Sequence, residues 1–116
     1  MREIPVYLFV GFLESGKTRF IQETMEDPSF DSGEKTLLLV CEEGETAYDL
    51  QKFAFGGTTL QQVNDQEQLT AEYLAELAKQ SGAGRVVVEY NGMWPLQAFY
   101  DAMPLGWAGF QTIAVA

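Results

Sequence analysis

Histidine is absent from this chain and cysteine occurs once, at Cys41. A lone cysteine excludes an internal disulfide, and with no imidazole a Cys/His metal site cannot be built from one chain. Basic residues are scarce as well: seven Lys and Arg stand against seventeen Asp and Glu, a formal net charge of −10. That balance argues against tracking duplex nucleic acid, whose affinity comes from neutralising phosphates, and against docking on anionic lipid. Neither nucleic acid nor a membrane is expected as a partner. Long apolar runs are missing too. Ile4 to Val10 is apolar but stops at Gly11, too short for a signal peptide or a membrane span, so the cytoplasm is the expected location. Any anionic ligand has to be held by local positive potential, because the field of the whole chain repels it.

What remains is a globular balance: 116 residues, 47% hydrophobic, 13% aromatic and 21% charged. This suits one domain with a single core. Strand-type and helix-type runs alternate, the pattern of a parallel sheet with flanking helices. Strands are expected at Ile4 to Val10, Thr36 to Cys41, Thr59 to Val63, Arg85 to Tyr90 and Gln111 to Ala116. The first reads as buried on both faces, and the fourth as another central strand. Helices are expected over Lys17 to Glu26, with Phe20, Ile21, Thr24 and Met25 on one face, and over Gln66 to Gln80, with Asn64-Asp65 as capping choices. A third opens at Pro95 and aligns Leu96, Phe99, Tyr100 and Met103. The sequence stops on QTIAVA with no turn residue or cap, which reads as a boundary inside or just after the fifth strand.

Between the first strand and the first helix lies Gly11-Phe12-Leu13-Glu14-Ser15-Gly16-Lys17-Thr18. It fits G-x-x-x-x-G-K-[ST] in full and in the strand-to-helix context that the phosphate-binding loop requires. Glycines at Gly11 and Gly16 let the loop wrap closely, so backbone N–H groups of residues such as Leu13, Glu14 and Ser15 form an anion nest. The helix beginning near Lys17 adds its own orphan donors. Lys17 reaches the β- and γ-phosphates, the Thr18 hydroxyl is a hard ligand for Mg²⁺, and Arg19 stands next in line. The bland alternative is a Gly/Ser loop that matches by chance. Glu14 is unusual in such a loop: a carboxylate facing phosphates repels them, and a non-glycine residue at positive φ costs about 1 kcal/mol.

Two carboxylates fall at carboxyl ends of strands, where open α/β sheets hold ligands. Glu42 follows Cys41, and Glu89 stands near the end of RVVVEY, before Asn91-Gly92. Both are candidates to orient Mg²⁺, which keeps most of its waters and needs one or two carboxylates. The acids Glu43, Glu45 and Asp49 read instead as a solvated face, whereas a carboxylate inside an apolar strand is costly without a role. Cys41 reads as a core residue, Trp94 and Trp107 as packing around the last helix, and Arg19 and Lys35 as surface charges that could assist an anion. Asn91-Gly92 is a tight turn, or lies where a γ-phosphate sensor would.

These residues resemble a family. GFLESGKT is similar to the GFLGAGKT loop of the CobW-like P-loop GTPases, relatives of the HypB and UreG metallochaperones in the SIMIBI class. Glu42, Gly44, Glu45 and Asp49 match that family's N-E-F-G-E-x-x-x-D segment, from which Cys41 and Glu43 depart. Glu89, Gly92 and Pro95 match its V-I-E-x-[ST]-G-x-A-D-P region, with one residue fewer before the proline. The resemblance implies the N-terminal part of a GTPase domain over residues 1–116, binding and hydrolysing GTP with Mg²⁺. It implies Lys17 and Glu42 as catalytic groups, and Thr18, Glu42 and Glu89 at the metal and attacking water. It also implies handling of a transition metal, with a homodimer or a client metalloprotein as partner. The family's Gly-Cys-x-Cys-Cys motif falls near Gly57-Thr58-Thr59-Leu60, where no cysteine stands. The guanine-reading [NT]-K-x-D segment is expected beyond Ala116, so GTP against ATP stays open. A P-loop small-molecule kinase and a nucleotide-binding interaction module with little turnover are the alternatives.

Overall fold

The computed structural model describes residues 4–10, 17–27, 35–41, 57–63, 65–91, 93–104 and 106–114. Strands β1 (Ile4–Val10), β2 (Thr36–Cys41), β3 (Thr58–Gln62), β4 (Arg85–Tyr90) and β5 (Trp107–Ala114) form one sheet in the order β3-β2-β4-β1-β5. Every pairing in it is parallel. Helices α1 (Lys17–Glu26), α2 (Ala71–Ser81) and α3 (Leu96–Ala102) flank it. The expected α/β architecture, a parallel sheet with flanking helices, is found.

Strand order dictates the layers. The chain leaves β1 and passes β4 to reach β2, then returns from β3 to β4 and passes β1 to reach β5. Right-handed crossovers in opposite directions put their helices on opposite faces. Accordingly Ile21 and Met25 of α1 bury against Phe9, Leu38, Val40 and Val87. Leu74 and Ala78 of α2, with Phe99 and Ala102 of α3, bury against Val6, Leu8, Leu37, Leu39, Val86 and Val88. Alternate residues of each central strand thus serve alternate cores, which is why β2 and β4 are buried at every position.

Several expected boundaries need correction. The helix expected from Gln66 starts at Ala71. Asp65 and Gln68 make a reciprocal capping box, but it closes only a 3₁₀ turn over Gln66–Gln68. Leu69 then turns extended, and Thr70 caps α2 by accepting from the Tyr73 N–H at 3.2 Å. Strand β3 spans Thr58–Gln62, one residue earlier than expected, and Val63 is a buried core residue just past it. Strand β5 begins at Trp107, four residues before the expected Gln111. Its register against β1 shifts by one: Val6 pairs with Gly109 and Tyr7 with Gln111. The glycine inside WAGF marks this bulge. The helical faces are also narrower than the periodicity suggests. Phe20 of α1, and Leu96 and Tyr100 of α3, stay substantially exposed, while Ile21, Met25 and Phe99 point inward.

Helix α2 ends at Gly82, whose φ of +66° is left-handed and whose N–H bonds back to the carbonyls of Ala78 and Lys79. A Cβ built there meets the Lys35 side chain at an ordinary 3.6 Å, so the cost of a side chain is backbone strain alone. Gly82→Ala is expected to destabilise the fold by about 1 kcal/mol. The measurement is the shift of the urea midpoint at unchanged slope, and an unshifted midpoint contradicts the left-handed cap.

Candidate functional site

The parallel sheet has one carboxyl edge, and two neighbouring strands meet there with connections leaving in opposite directions. These strands are β1 and β4. Such a divergence opens the crevice in which open α/β sheets hold ligands. Strand β1 runs to Val10, the residue before the Gly11–Thr18 motif, and α1 begins at Lys17, the motif's seventh residue. Strand and helix therefore flank the motif as expected. Lys17 and Thr18 open the first turn of α1. Gly11, Leu13, Glu14, Ser15, Gly16 and Glu42 lie outside the described residues, as do Glu43, Gly44, Glu45, Asp49 and Gly92.

Glu89 is where the sequence expects an acid. It pairs in register with Phe9 of β1 on one side and Val40 of β2 on the other. It is 2% exposed. Side chains alternate along a strand, so Glu89 shares the face of Val87, which packs with Ile21 and Met25 of α1. The acid therefore lies on the α1 face, at the edge where α1 begins. Glu89 is engaged with a neighbour, as a buried carboxylate has to be. Among the described residues no three His, Cys, Asp or Glu side chains gather to hold a metal. A Mg²⁺ ion that keeps its waters needs fewer protein oxygens than that, so one buried carboxylate beside the first turn of α1 fits it.

Arg19 is exposed in α1 and its Nε donates to Glu23 at 3.2 Å, one turn on. This is a solvated helix pair worth only a few tenths of a kcal/mol. Cys41 is wholly buried in the core, and Trp94 and Trp107 pack with the same cluster as Phe99, as expected.

The segment after β4 is organised in a way the sequence did not reveal. The Tyr90 hydroxyl donates to the Pro95 carbonyl at 2.6 Å. Its ring stands edge-on to Trp94 and Phe99, with centroids 6.0 and 5.7 Å away. The Asn91 carboxamide oxygen accepts the Met93 N–H at 2.8 Å, and the Asn91 carbonyl accepts the Trp94 N–H at 3.1 Å. The turn leaving β4 is thus pinned from both sides. A second buried polar group, Arg85, sits at the opposite edge, where its Nε donates to Thr36 Oγ1 at 2.7 Å. An arginine at the head of an apolar run was the available signal for it.

No family model, no curated protein and no solved structure matches the chain. No helix among the described residues is long and apolar enough to cross a membrane.

Burial pushes the Tyr90 phenol up to about 12, with the neighbouring Cys41 adding to the rise and a backbone hydrogen bond at Phe99 opposing it. The folded state therefore holds this proton more tightly than the unfolded chain, whose tyrosines titrate near 10. The sign follows: the stabilisation is complete below pH 10 and is lost as pH rises toward 12. Over that window stability is expected to fall by roughly 2–3 kcal/mol through this group. Tyr90→Phe should flatten the fall measured by denaturant melts at stepped pH, and an identical alkaline limb in the variant contradicts the assignment.

Proposed function

We propose that this chain is the phosphate-binding part of a CobW-like P-loop GTPase, which binds a nucleoside triphosphate with Mg²⁺ and cleaves its β–γ anhydride by attack of water. One observation carries the reading. The full G-x-x-x-x-G-K-[ST] motif runs from the end of β1 into the first turn of α1, and the strand hydrogen-bonded beside β1 buries Glu89 on the α1 face of the same edge. Glu89 is a buried carboxylate that follows three consecutive valines, Val86, Val87 and Val88, at the carboxyl end of β4.

In this reading Lys17 supplies the mobile positive charge at the β- and γ-phosphates, and the donors of the α1 first turn extend the anion nest. Thr18 and Glu89 hold the Mg²⁺, with Glu42 as the further carboxylate at the metal and attacking water. The ion supplies neutralisation of charge on the transferring phosphoryl group. The residues' own contribution is positional and electrostatic: donors and charges fixed before the reaction, where charge develops. Guanine is the base that the resemblance favours. Handling of a transition metal for a client protein is the role it adds, with no cysteine near Gly57 to hold such a cargo.

Lys17→Ala is expected to weaken triphosphate binding at least about tenfold, the cost of one charge-assisted contact. Calorimetric titration with GTP and ATP measures it, and unchanged affinity overturns the P-loop reading. Glu89→Gln keeps the side chain's shape and removes its charge. It is expected to leave metal-free binding nearly intact while erasing most of the gain that Mg²⁺ gives. Turnover that requires an added small-molecule acceptor would turn the reading to a kinase.

A further inference from the structure

Strand β5 lies at one edge of the sheet, and among the described residues it pairs with β1 alone. The opposite edge, β3, is five residues long and mostly Thr and Gln, whereas β5 has eight residues and neither charge nor proline. Charges and prolines ordinarily blunt a sheet edge against pairing with another chain. The bulge opposite Val6 and Tyr7 is a partial substitute, but past it the register runs unbroken from Gln111 to Ala114. In a chain of net charge −10, no charged residue follows Asp101 up to Ala116.

Apolar side chains flank this edge on both faces of the sheet. Phe20, Leu96 and Tyr100 are 43, 36 and 39% exposed, and with Met93 they make up the exposed large apolar side chains among the described residues. Handedness fixes their directions. Each helix runs antiparallel to the strands it joins in a right-handed crossover, and each residue turns by about 100° from the last. The residue before an inward-pointing one therefore leans back toward the strand the chain has left. The residue after it leans toward the strand the chain is approaching. Two contacts bear this out. Tyr73, before the inward Leu74, leans toward β3, where its hydroxyl lies 3.4 Å from Gln61 Nε2. Phe20, before the inward Ile21, leans toward β1 and the β5 side, its ring centroid 5.7 Å from that of Phe9. By the same rule Tyr100, after the inward Phe99, leans toward β5, and Leu96 one turn earlier shares its side. The acids Glu23 and Asp101 fall two residues past inward positions, on the outer faces of α1 and α3.

We propose that β5 is the contact of a symmetric dimer, in which the β5 strands of two copies pair antiparallel and the two sheets become one. A bound peptide strand would satisfy the edge and leave Phe20 exposed on one face, with Leu96 and Tyr100 on the other. The occupant has to offer a strand in the middle and apolar side chains in both outer layers. A second copy offers all three. A twofold axis perpendicular to the sheet makes the strands antiparallel and sets the α1 layer of one copy against the α1 layer of the other, and α3 likewise. Two chains of −10 repel, and β5 is where they meet without bringing a charged strand together. The contact involves neither the Gly11–Thr18 motif nor Glu89, so it stands or falls apart from the nucleotide-binding reading.

Sedimentation equilibrium of this chain, from low to high micromolar concentration, tests it. The expected result is a monomer–dimer equilibrium that closes at two chains. Leu96→Glu and Phe20→Glu place one new charge beside β5 on each face, and each is expected to weaken the dimer about tenfold or more. Gln80→Glu adds the same charge on α2, away from β5, and is expected to change it less than about twofold. A wild-type monomer at high micromolar concentration overturns the proposal. So does open-ended association beyond the dimer, or a dimer that neither β5-side variant weakens. Thermal melts control for folding. Should both variants melt early, amide hydrogen exchange of the wild type decides: protection of β5 must rise with protein concentration while that of β3 stays constant, and the reverse pattern refutes the contact.

Discussion

The parallel pairing of β1 with β4 is the constraint from which most of this structure follows. Parallel neighbours cannot be joined by a tight turn, so each needs a long crossover, and the crossovers here depart to opposite sides. Helices then cover both faces. Because both faces are covered, β2 and β4 have no solvent side and must be apolar at nearly every position. The same pairing brings the end of β1, which precedes the Gly11–Thr18 motif in the sequence, level with the end of β4, where Glu89 is buried.

A chain of net charge −10 repels polyphosphate at long range. On the proposed reading, affinity for it would come from groups that act within a few ångströms, the backbone N–H groups of a phosphate-binding loop together with Lys17. Arg19, an exposed cation of α1, is paired with Glu23 one turn on.

How much of this was legible in the sequence depended on burial. The bounds of β1, β2 and β4 could be read directly, because strands covered on both faces are unbroken apolar runs. The edge strands were less legible. Strand β3 is half-buried and rich in Gln and Thr, and β5 hides its first half behind Gly109 and a bulge. The start of α2 was misread because two capping signals compete: Asp65 with Gln68 closes a 3₁₀ turn, and Thr70 opens the helix. Glu89 was visible as a charge in an apolar strand. Arg85 carried the same kind of signal at the other edge, where it meets Thr36 on β2. Asn91 was legible as the start of a tight turn, which its contacts with the Met93 and Trp94 N–H groups bear out.

Consecutive residues at the end of β4 divide their work by the alternation of the strand. Glu89 faces α1, and Tyr90 faces the opposite core, where Trp94 and Phe99 flank its ring and Pro95 accepts its hydroxyl. Asn91 begins the turn that this anchorage secures. The anchor is apolar and aromatic and does not titrate until strongly alkaline pH, so its hold is constant through the neutral range. The turn is therefore ordered by folding itself, through contacts on the far side of the sheet. The core against α3 therefore steadies Glu89 on the α1 face as well, because a strand cannot shift on one face without shifting on the other.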